Sequence, residues 1–328
     1  MAEVLFWVAL VVVAGSYLGY PLLLAVWARV APKPVRRAPI TPAVTVVLAL
    51  RDEAGRLGAR LANLLSADYP ADRLEVVVVS DGSTDDTVAR AVEAARADPR
   101  VRVLALPVPQ GKAAALNAGV AAARGEIVVF ADARQTFAPD AIRLLVENFA
   151  DPTVGVASGR LVLGDPAGTP VGSGLGLYWR YEVWLRERES EVGSTIGATG
   201  AIYAIRRTLY RPIPPETVLD DVLVPMQAVQ AGARAVYDRR ALAFDTVASA
   251  EHEFARKVRT LYGNYQLLTL CPALLSPRAN PVFGRFVVHK LARLCVPLHL
   301  ALLAGASLAL LEGPYAWAAA AQGLAYGA

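Results

Sequence analysis

Two long uncharged segments lie near the ends of the chain, with shorter alternating runs between them. Val4 to Ala28 is 25 residues without a charge. At about 1.5 Å per residue, such a helix crosses a hydrocarbon core about 30 Å thick. Basic residues follow from Arg29 to Arg37, and positive charge marks the cytoplasmic side. We therefore predict a transmembrane helix over residues 1–30, with the following domain in the cytoplasm. A cleaved signal peptide is the alternative, but its basic residues would precede a shorter apolar core.

A second uncharged segment, Leu294 to Leu311, is interrupted only by Pro297 and His299. Cations precede this segment, as expected for a helix that leaves the cytoplasm. We predict a second transmembrane helix over residues 294–312, which makes the chain an integral protein of the cytoplasmic membrane. Residues 313–328 are also uncharged but too short to cross fully. These residues could form either a re-entrant segment or a partial third span.

The middle of the chain alternates β-branched runs with Ala- and Leu-rich runs. It begins with residues 31–42, which contain four prolines and are predicted to form an extended linker. Alternation of this kind is typical of a Rossmann-like, mostly parallel α/β sheet, here over residues 43–250. The predicted strands are Val44 to Leu50, Leu74 to Ser80, Val101 to Leu106 and Ile127 to Ala131. The predicted helices are Leu57 to Ser66, Asp85 to Ala97, Lys112 to Ala123 and Pro139 to Ala150.

Composition excludes several classes of protein. Hydrophobic residues make up 55% of the 328 residues and charged residues 19%, which excludes intrinsic disorder. The net charge of +4 comes from interspersed basic and acidic residues, so no basic stripe indicates nucleic-acid binding. The chain lacks a Gly-x-Gly-x-x-Gly motif after the first strand and a Gly-Lys-Ser/Thr loop. A single nucleotide with a metal therefore fits better than a dinucleotide cofactor.

Polar residues stand directly after three of the predicted strands. Arg51, Asp52 and Glu53 follow the first, Asp81 the second and Asp132 the fourth. Ligands of such sheets bind at the carboxyl ends of the strands, so these side chains are expected to share one crevice. A carboxylate there suits Mg²⁺ or Mn²⁺ against a diphosphate. Turn and helix-capping roles are the structural alternatives for the acids.

Lys112 begins a predicted helix, where free backbone amides favour phosphate binding. A simple solvated lysine is the alternative. The pair Asp220 and Asp221 precedes another apolar helical run. Helix capping is the structural alternative for this pair, and one of the two acids could serve only that role.

Seven short motifs in this order resemble the family 2 glycosyltransferases, which have the GT-A fold. The resemblance covers residues 43–290 and is greatest to the membrane-embedded branch that includes cellulose, chitin, hyaluronan and poly-N-acetylglucosamine synthases. The motifs are ALRDE, VSDGSTDDT, GKAAALNAG, FADARQ, GATGAIYAIRR, LDD and RKVRT.

The resemblance implies a role for each matching residue. Asp221 would be the catalytic base, and Asp132 the ligand of a divalent metal, Mg²⁺ or Mn²⁺. Thr199 and Gly200 would lie beside the acceptor. The residues assigned to the nucleotide-sugar donor are Leu50, Glu53, Asp81, Lys112, Asp132 and Arg259. General chemistry supports these roles, because inverting transfer needs one carboxylate to accept a hydroxyl proton and positive charge to stabilise the leaving diphosphate.

The chain departs from the family pattern at two motifs. Arg134 stands where the metal motif often has a second acid, which puts metal affinity in question. Arg256 and Thr260 stand where Gln and Trp are expected, and loss of the tryptophan puts processive polymerisation in question. This motif lies in a predicted amphipathic helix, Glu253 to Leu270, within residues 251–293 that we assign to the lipid interface.

The sequence thus predicts an inverting, membrane-anchored enzyme that transfers a sugar, with a UDP-sugar as the expected donor, to a growing polysaccharide. Transfer of one sugar to a lipid acceptor is the nearest alternative. A non-catalytic sugar-nucleotide-binding subunit and a cytidylyltransferase-like enzyme are further alternatives. The donor sugar, the linkage, the oligomeric state and any partner subunits are not specified by the sequence.

Overall fold

The computed structural model describes residues 1–164, 173–245 and 250–327. The predicted domain 43–250 therefore includes residues 165–172 and 246–249, which lie outside the described residues. The chain forms two compact units, Met1–Val30 with Val282–Ala328, and Ala31–Pro281. The two units are described in turn.

The larger unit is built on one sheet of eight strands in the order β3-β2-β1-β4-β7-β6-β8-β5. Strands β1 to β4 are parallel to one another. Strand β7 is antiparallel to β4 and β6, and β5 is antiparallel to β8. The strands are β1 Val44–Leu50, β2 Leu74–Asp81, β3 Val101–Leu106, β4 Ile127–Ala131, β5 Thr136–Phe137, β6 Val154–Leu163, β7 Ile202–Arg206 and β8 Arg234–Asp245.

The described helices alternate with the strands in the first half of this unit and flank the chain at both ends. The helices are α1 Ala2–Ala14, α2 Tyr20–Val30, α3 Ala54–Leu65, α4 Thr87–Ala97, α5 Lys112–Ala122, α6 Ala141–Glu147, α7 Ser173–Glu191, α8 Asp220–Gln230, α9 Ala250–Leu270, α10 Phe283–Arg285, α11 Arg293–Leu310 and α12 Gly313–Gly327.

The core of the larger unit explains why the first four strands agree with the sequence prediction. Most of their residues are apolar, and Val46, Leu48 and Val129 of the central strands are fully buried between covering helices. Continuous apolar runs of this kind are typical of parallel strands covered on both sides. The parallel order β3-β2-β1-β4 brings the carboxyl ends of β1, β2 and β4 to one edge.

The proline-rich segment 31–42 has no helix or strand. Its backbone is nevertheless held to the larger unit. Lys33 N donates to Glu191 O at 2.6 Å, and Arg36 N donates to Asp151 Oδ2 at 3.2 Å. The segment is therefore attached to the surface of the sheet domain.

In the smaller unit, π-helical segments continue α1 into α2 and α10 into α11. Two continuous helices result, Ala2–Val30 and Phe283–Leu310, each long and apolar enough to cross a membrane. Only 28% and 22% of their most apolar stretches are buried, which is unlike the core helix of a soluble protein. The second helix starts at Phe283, so the cations predicted to precede the span lie within its first turns.

The tail predicted as residues 313–328 forms the helix α12 over its described part. Its Tyr315 packs edge-on against Phe6 at 4.8 Å between ring centroids. Phe6, Ala9, Leu303 and Ala306 form the small core of this unit.

Candidate active site

A cleft of about 360 Å³ lies at the carboxyl ends of β1, β2 and β4. It brings together side chains that are far apart in sequence but follow adjacent parallel strands. Five residues predicted to contact the donor line it, namely Leu50, Glu53, Asp81, Lys112 and Asp132. Arg51, Arg134 and Gln135 complete its polar lining.

Lys112 lies at the electrostatic centre of the site. Its Nζ is 3.0 Å from Asp132 Oδ1 and 3.6 Å from Asp220 Oδ1. Burial alone would lower the pKa of this amine, but the attraction to Asp220, Asp132 and Asp221 outweighs burial and raises the pKa. Lys112 therefore stays charged and holds carboxylates from two elements, β4 and α8, around one point.

Asp220 is the buried member of this group, with 5% of its surface exposed. Its Oδ2 is buried without a hydrogen-bond partner among the described residues. Burial raises the pKa of Asp220 from its ordinary 3.8 to about 6, because the attraction to Lys112 offsets only part of the burial cost. The ionised carboxylate is thus held in place at a cost in folding stability.

We expect Asp220→Asn to raise the melting temperature at pH 7.5. A carboxyl with a raised pKa stabilises the fold below pH 3.8, and this contribution is lost as pH rises through about 6. The gain at pH 7.5 is at most about 3 kcal/mol by the cost of each pKa unit, and it should shrink as pH falls to 4.5. Thermal unfolding in detergent measures it, with the exposed Asp72→Asn as the matched control. A lower melting temperature of Asp220→Asn than of wild type at pH 7.5 would contradict a raised pKa of Asp220.

Asp81 fixes the loop that leads into α5. One of its carboxylate oxygens accepts a hydrogen bond from Gln110 N at 2.6 Å and the other from Gly111 N at 2.9 Å. The side chain is nearly buried yet lines the cleft. Since each carboxylate oxygen has two lone pairs, Asp81 retains acceptor capacity toward a ligand. It therefore orients the loop carrying Lys112 as well as facing the predicted nucleotide position.

Gly82 lets this loop approach the end of β2. Its φ is +61°, and a Cβ at this position would lie 2.4 Å from Pro109 N and 2.6 Å from Val108 C. Both neighbours are backbone atoms, so neither can move aside easily. Only glycine fits this turn, which explains its place directly after Asp81.

We expect Gly82→Ala to destabilise the fold by about 2–4 kcal/mol, from left-handed strain plus overpacking. Gly58→Ala is the matched control, because Gly58 lies within α3 and its Cβ would meet nothing within 4 Å. That control should stabilise slightly, since alanine favours helix more than glycine does. Melting temperatures in detergent measure both. Equal melting temperatures for the two variants would contradict the packing described.

Asp221 lies beside Asp220 in the first turn of α8, where the helix dipole stabilises negative charge. Its backbone carbonyl accepts a hydrogen bond from Ala198 N at 2.7 Å. A Cβ on Gly200 would lie 3.0 Å from Asp221 Oδ2, so the glycine allows the 197–200 loop to touch this carboxylate. The structure thus brings Gly200 and Asp221 together.

The hydroxyl and the backbone N–H of Thr199 are both engaged in hydrogen bonds within the protein. Its hydroxyl accepts a hydrogen bond from Arg186 Nη1 at 2.9 Å and lies 3.2 Å from Ser158 Oγ. Its backbone N donates to Ser158 Oγ at 2.8 Å. Thr199 therefore anchors the loop that touches Asp221, and we infer that it positions the acceptor side rather than contacting the acceptor through its hydroxyl.

Arg259 does not line the cleft; it lies exposed on α9. One turn later on the same face, Gly263 packs on Leu219, the residue before Asp220. Two turns later, Gln266 Oε1 accepts from Val218 N at 3.0 Å. The face of α9 that carries Arg259 is therefore the face next to the start of α8.

Two residues that shape the site were not predicted from the sequence. Arg60, on α3, is buried and donates from Nε to the carbonyl of Asp132 at 3.0 Å while stacking on Phe137. Asp245 is buried and pairs with Arg134 Nη2 at 2.6 Å. An arginine on the same helix face as three leucines was the available signal for Arg60. Nothing in the sequence links Arg134 to Asp245.

These residues fit a divalent metal that is held jointly with a diphosphate. The described residues contain no group of three or more His, Cys, Asp or Glu side chains that would hold a metal alone. Asp132 is half-exposed in the cleft, and Asp220 Oδ2 lacks a partner. Mg²⁺ and Mn²⁺ sites in nucleotide enzymes use one or two carboxylates plus phosphate oxygens. Asp132, with Asp220 near it, meets that requirement despite the arginine at position 134.

Comparison with known proteins gives one family and several relatives. The model of glycosyl transferase family 2 matches residues 45–213. An N-acetylglucosaminyltransferase of Rhizobium meliloti (strain 1021) is 29% identical over 181 residues, which are 55% of this chain and 42% of the relative. A beta-monoglucosyldiacylglycerol synthase of Synechocystis is 34% identical over 128 residues, 38% of this chain and 27% of the relative. The chain thus spans less than half the length of these two curated relatives.

A solved structure is similar over nearly the whole chain. The mannosyltransferase PcManGT from Pyrobaculum calidifontis, in complex with GDP-Man and Mn²⁺, is 27% identical with a TM-score of 0.78. The alignment covers 99% of this chain and 92% of that one. The predicted GT-A fold is confirmed.

The fold and the matched family model define the chain as a glycosyltransferase of the GT-A fold. Within that class, the chain belongs to glycosyltransferase family 2.

Proposed function

We propose that this chain is an inverting, membrane-anchored enzyme that transfers a sugar from a nucleoside diphosphate to a hydroxyl of a growing saccharide. The observation that carries the proposal is the convergence of Asp132 and Asp220 on Lys112, directly beside Asp221. The site combines cations that suit a diphosphate with a separate carboxylate that suits a hydroxyl proton.

The cleft is the proposed donor site. Its volume of about 360 Å³ falls within the roughly 300–1,000 Å³ usual for small-molecule sites. Arg51, Lys112 and Arg134 supply positive charge along it. Leu50, Glu53 and Asp81 are assigned to the nucleoside. The expected UDP-sugar and a GDP-sugar, as named for PcManGT, are the two donor classes to compare.

In the proposed reaction the acceptor oxygen forms a bond to the anomeric carbon as the bond from that carbon to the diphosphate breaks. Asp221 accepts the hydroxyl proton, and the nucleoside diphosphate leaves toward Lys112. Arg259 is proposed to approach the same diphosphate from α9. Asp132 would hold the Mg²⁺ or Mn²⁺ ion, which when bound neutralises phosphate charge. A single displacement of this kind inverts the anomeric centre.

Membrane association is supported by two observations. The helices Ala2–Val30 and Phe283–Leu310 have the length and apolar character of membrane spans. In addition, α9 exposes the large apolar side chains of Phe254, Val258 and Tyr262, which fits an interfacial helix. We propose that the sheet domain faces the cytoplasm, on the side marked by the cations from Arg29 to Arg37.

A lipid acceptor is the second candidate. It is favoured by the glycolipid synthase among the relatives and by the exposed apolar face of α9, which extends from Phe254 to Tyr265. The two candidates share the donor site and the base, and they differ only in what offers the hydroxyl group.

The test is release of nucleoside diphosphate from a panel of UDP- and GDP-sugars, in detergent, with Mn²⁺, Mg²⁺ or EDTA. We expect one donor to be consumed, and only when Mn²⁺ or Mg²⁺ is present. Product size then separates a polymer from a glycolipid. Nucleotide binding without turnover of any donor would instead support a non-catalytic subunit. Pyrophosphate release from a nucleoside triphosphate would support a cytidylyltransferase-like enzyme.

A further inference from the structure

A second cavity, of about 570 Å³, lies between α7 and the strands β6 and β8. No described residue lines both this cavity and the donor cleft. Three arginines from three elements line it, Arg160 from β6, Arg180 from α7 and Arg239 from β8. The proposed donor chemistry uses none of them.

Basic side chains outnumber acidic ones among the described residues that line this cavity. The only acid among its described lining residues is Glu187, so the cations exceed the acids. Arg160 Nε is buried and has no hydrogen-bond partner among the described residues. A buried guanidinium nitrogen without a partner is costly, so it indicates a missing acceptor atom. Guanidinium groups match carboxylate and phosphate oxygens in geometry.

Aromatic side chains form the remainder of the lining. Trp179, Tyr181 and Trp184 all project from α7 into the lining of this cavity. Trp179 is fixed by a hydrogen bond from its Nε1 to Leu161 O at 3.2 Å. Flat aromatic faces pack well against the C–H faces of sugar rings, which offer little apolar surface otherwise. The combination therefore suits a sugar ring that carries a negative charge.

Two contacts connect the cavity to the proposed base. Arg186, on the same helix as Trp184, donates to Thr199 Oγ1 at 2.9 Å. Ser158, two residues before Arg160 on β6, accepts from Thr199 N at 2.8 Å. Thr199 precedes Gly200, which touches Asp221. Two elements that line the cavity, α7 and β6, thus also contact the loop that touches Asp221.

We propose that this cavity binds the non-reacting part of the acceptor, a saccharide that carries a phosphate or carboxylate group. The arginines bind the anion, and the tryptophans hold the ring. This inference rests on the proposed function, because it assigns the acceptor of the same enzyme. It commits to an acidic or phosphorylated saccharide rather than a neutral one.

The test is calorimetric binding to the full chain in detergent, without donor. The probes are trigalacturonate for the carboxylate, glucose 6-phosphate for the phosphate, neutral maltotriose, and glycerol 3-phosphate for a lipid-like phosphate without a sugar. We expect both acidic saccharides to bind at least about ten-fold more tightly than maltotriose and glycerol 3-phosphate. Arg239→Gln should lower the affinity for the acidic saccharides about ten-fold, because one charge-assisted contact is lost. Arg160→Gln should do the same, and Trp184→Leu should weaken every saccharide.

The matched control is Arg96→Gln, an exposed arginine in the last turn of α4, which should bind as wild type does. Arg239 is exposed, so its variant keeps the test interpretable if Arg160→Gln does not fold. Equal binding of maltotriose and trigalacturonate, equal binding of glycerol 3-phosphate and glucose 6-phosphate, or unchanged binding by a folded Arg239→Gln would overturn the inference. Binding with the expected pattern but no donor turnover would contradict the proposed function alone.

Discussion

Asp221→Asn is expected to lower the rate of sugar transfer by about 10²- to 10⁴-fold, the usual contribution of a general base. The amide keeps the shape of the side chain but cannot accept the hydroxyl proton. Because Asp221 does not line the donor cleft, the dissociation constant of the nucleotide should stay within about two-fold of wild type. Turnover assays and nucleotide titrations on the same preparation measure the two effects separately.

The control for this variant is Asp72→Asn. Its side chain is 80% exposed, and it precedes β2, at the opposite end of that strand from Asp81. It should leave both turnover and nucleotide affinity unchanged. If Asp221→Asn retained more than a tenth of wild-type turnover, the base would have to be another group. Asp220, adjacent on α8 and with a raised pKa, would then be the next residue to test.

Asp132→Asn is expected to lower turnover by about 10²- to 10³-fold, in the range found when a charge-stabilising group of an active site is removed. Unlike the change at Asp221, it should also weaken donor binding and the dependence on Mn²⁺, because the carboxylate that would hold the ion is lost. Lys112 would remain charged through its second partner, Asp220. Titration of Mn²⁺ against donor binding measures the effect.

An Asp132→Asn variant with wild-type Mn²⁺ dependence would contradict the metal assignment. Asp140→Asn provides a comparison on the same segment, since Asp140 is half-exposed in the loop before α6 and pairs only loosely, at 3.8 Å, with Arg143. This variant should keep the metal response of the wild type. The pair of variants therefore separates loss of one specific carboxylate from loss of negative charge in the region.

The first half of the sheet domain was predictable because its local signals agree with its tertiary structure. Predicted β1, β3 and β4 have the observed bounds, and β2 ends one residue later, at Asp81. Each of these strands is a mostly apolar run, and β1, β2 and β3 are each followed by a helix, the pattern of parallel strands. The second half was not assigned in strand detail, and the structure adds the antiparallel neighbours β7 and β5 there. A two-residue strand such as Thr136–Phe137 has no periodicity to detect.

The strand-end residues of the site were predictable for a related reason. Leu50 and Asp81 end two parallel strands and Asp132 follows a third, so the sheet order alone brings them to one cleft. The contact between Lys112 and Asp220 depends instead on how α5 and α8 pack, which no local pattern encodes. The same holds for the pair of Arg134 with Asp245, which explains why a basic residue occupies the expected position of a second acid.

The sequence predicted that α9 is amphipathic, but it did not decide whether the apolar face of this helix is buried or exposed. Periodicity placed Phe254, Val258 and Tyr262 on one face, and such a face is more often buried than exposed. In the structure all three are exposed, at 70%, 51% and 61%. Large exposed apolar patches mark interaction sites, which supports the interfacial role proposed for this helix.

The anomeric configuration of the product is the most direct test of the central claim, single-displacement transfer from the strand-end cleft with Asp221 as the base. It is measured by proton NMR on the sugar transferred by wild-type protein from an α-linked nucleotide-sugar donor. We expect a β-linked product, formed by wild type and not by Asp221→Asn. An α-linked product would require a double displacement or a front-face route, and it would contradict the role proposed for Asp221.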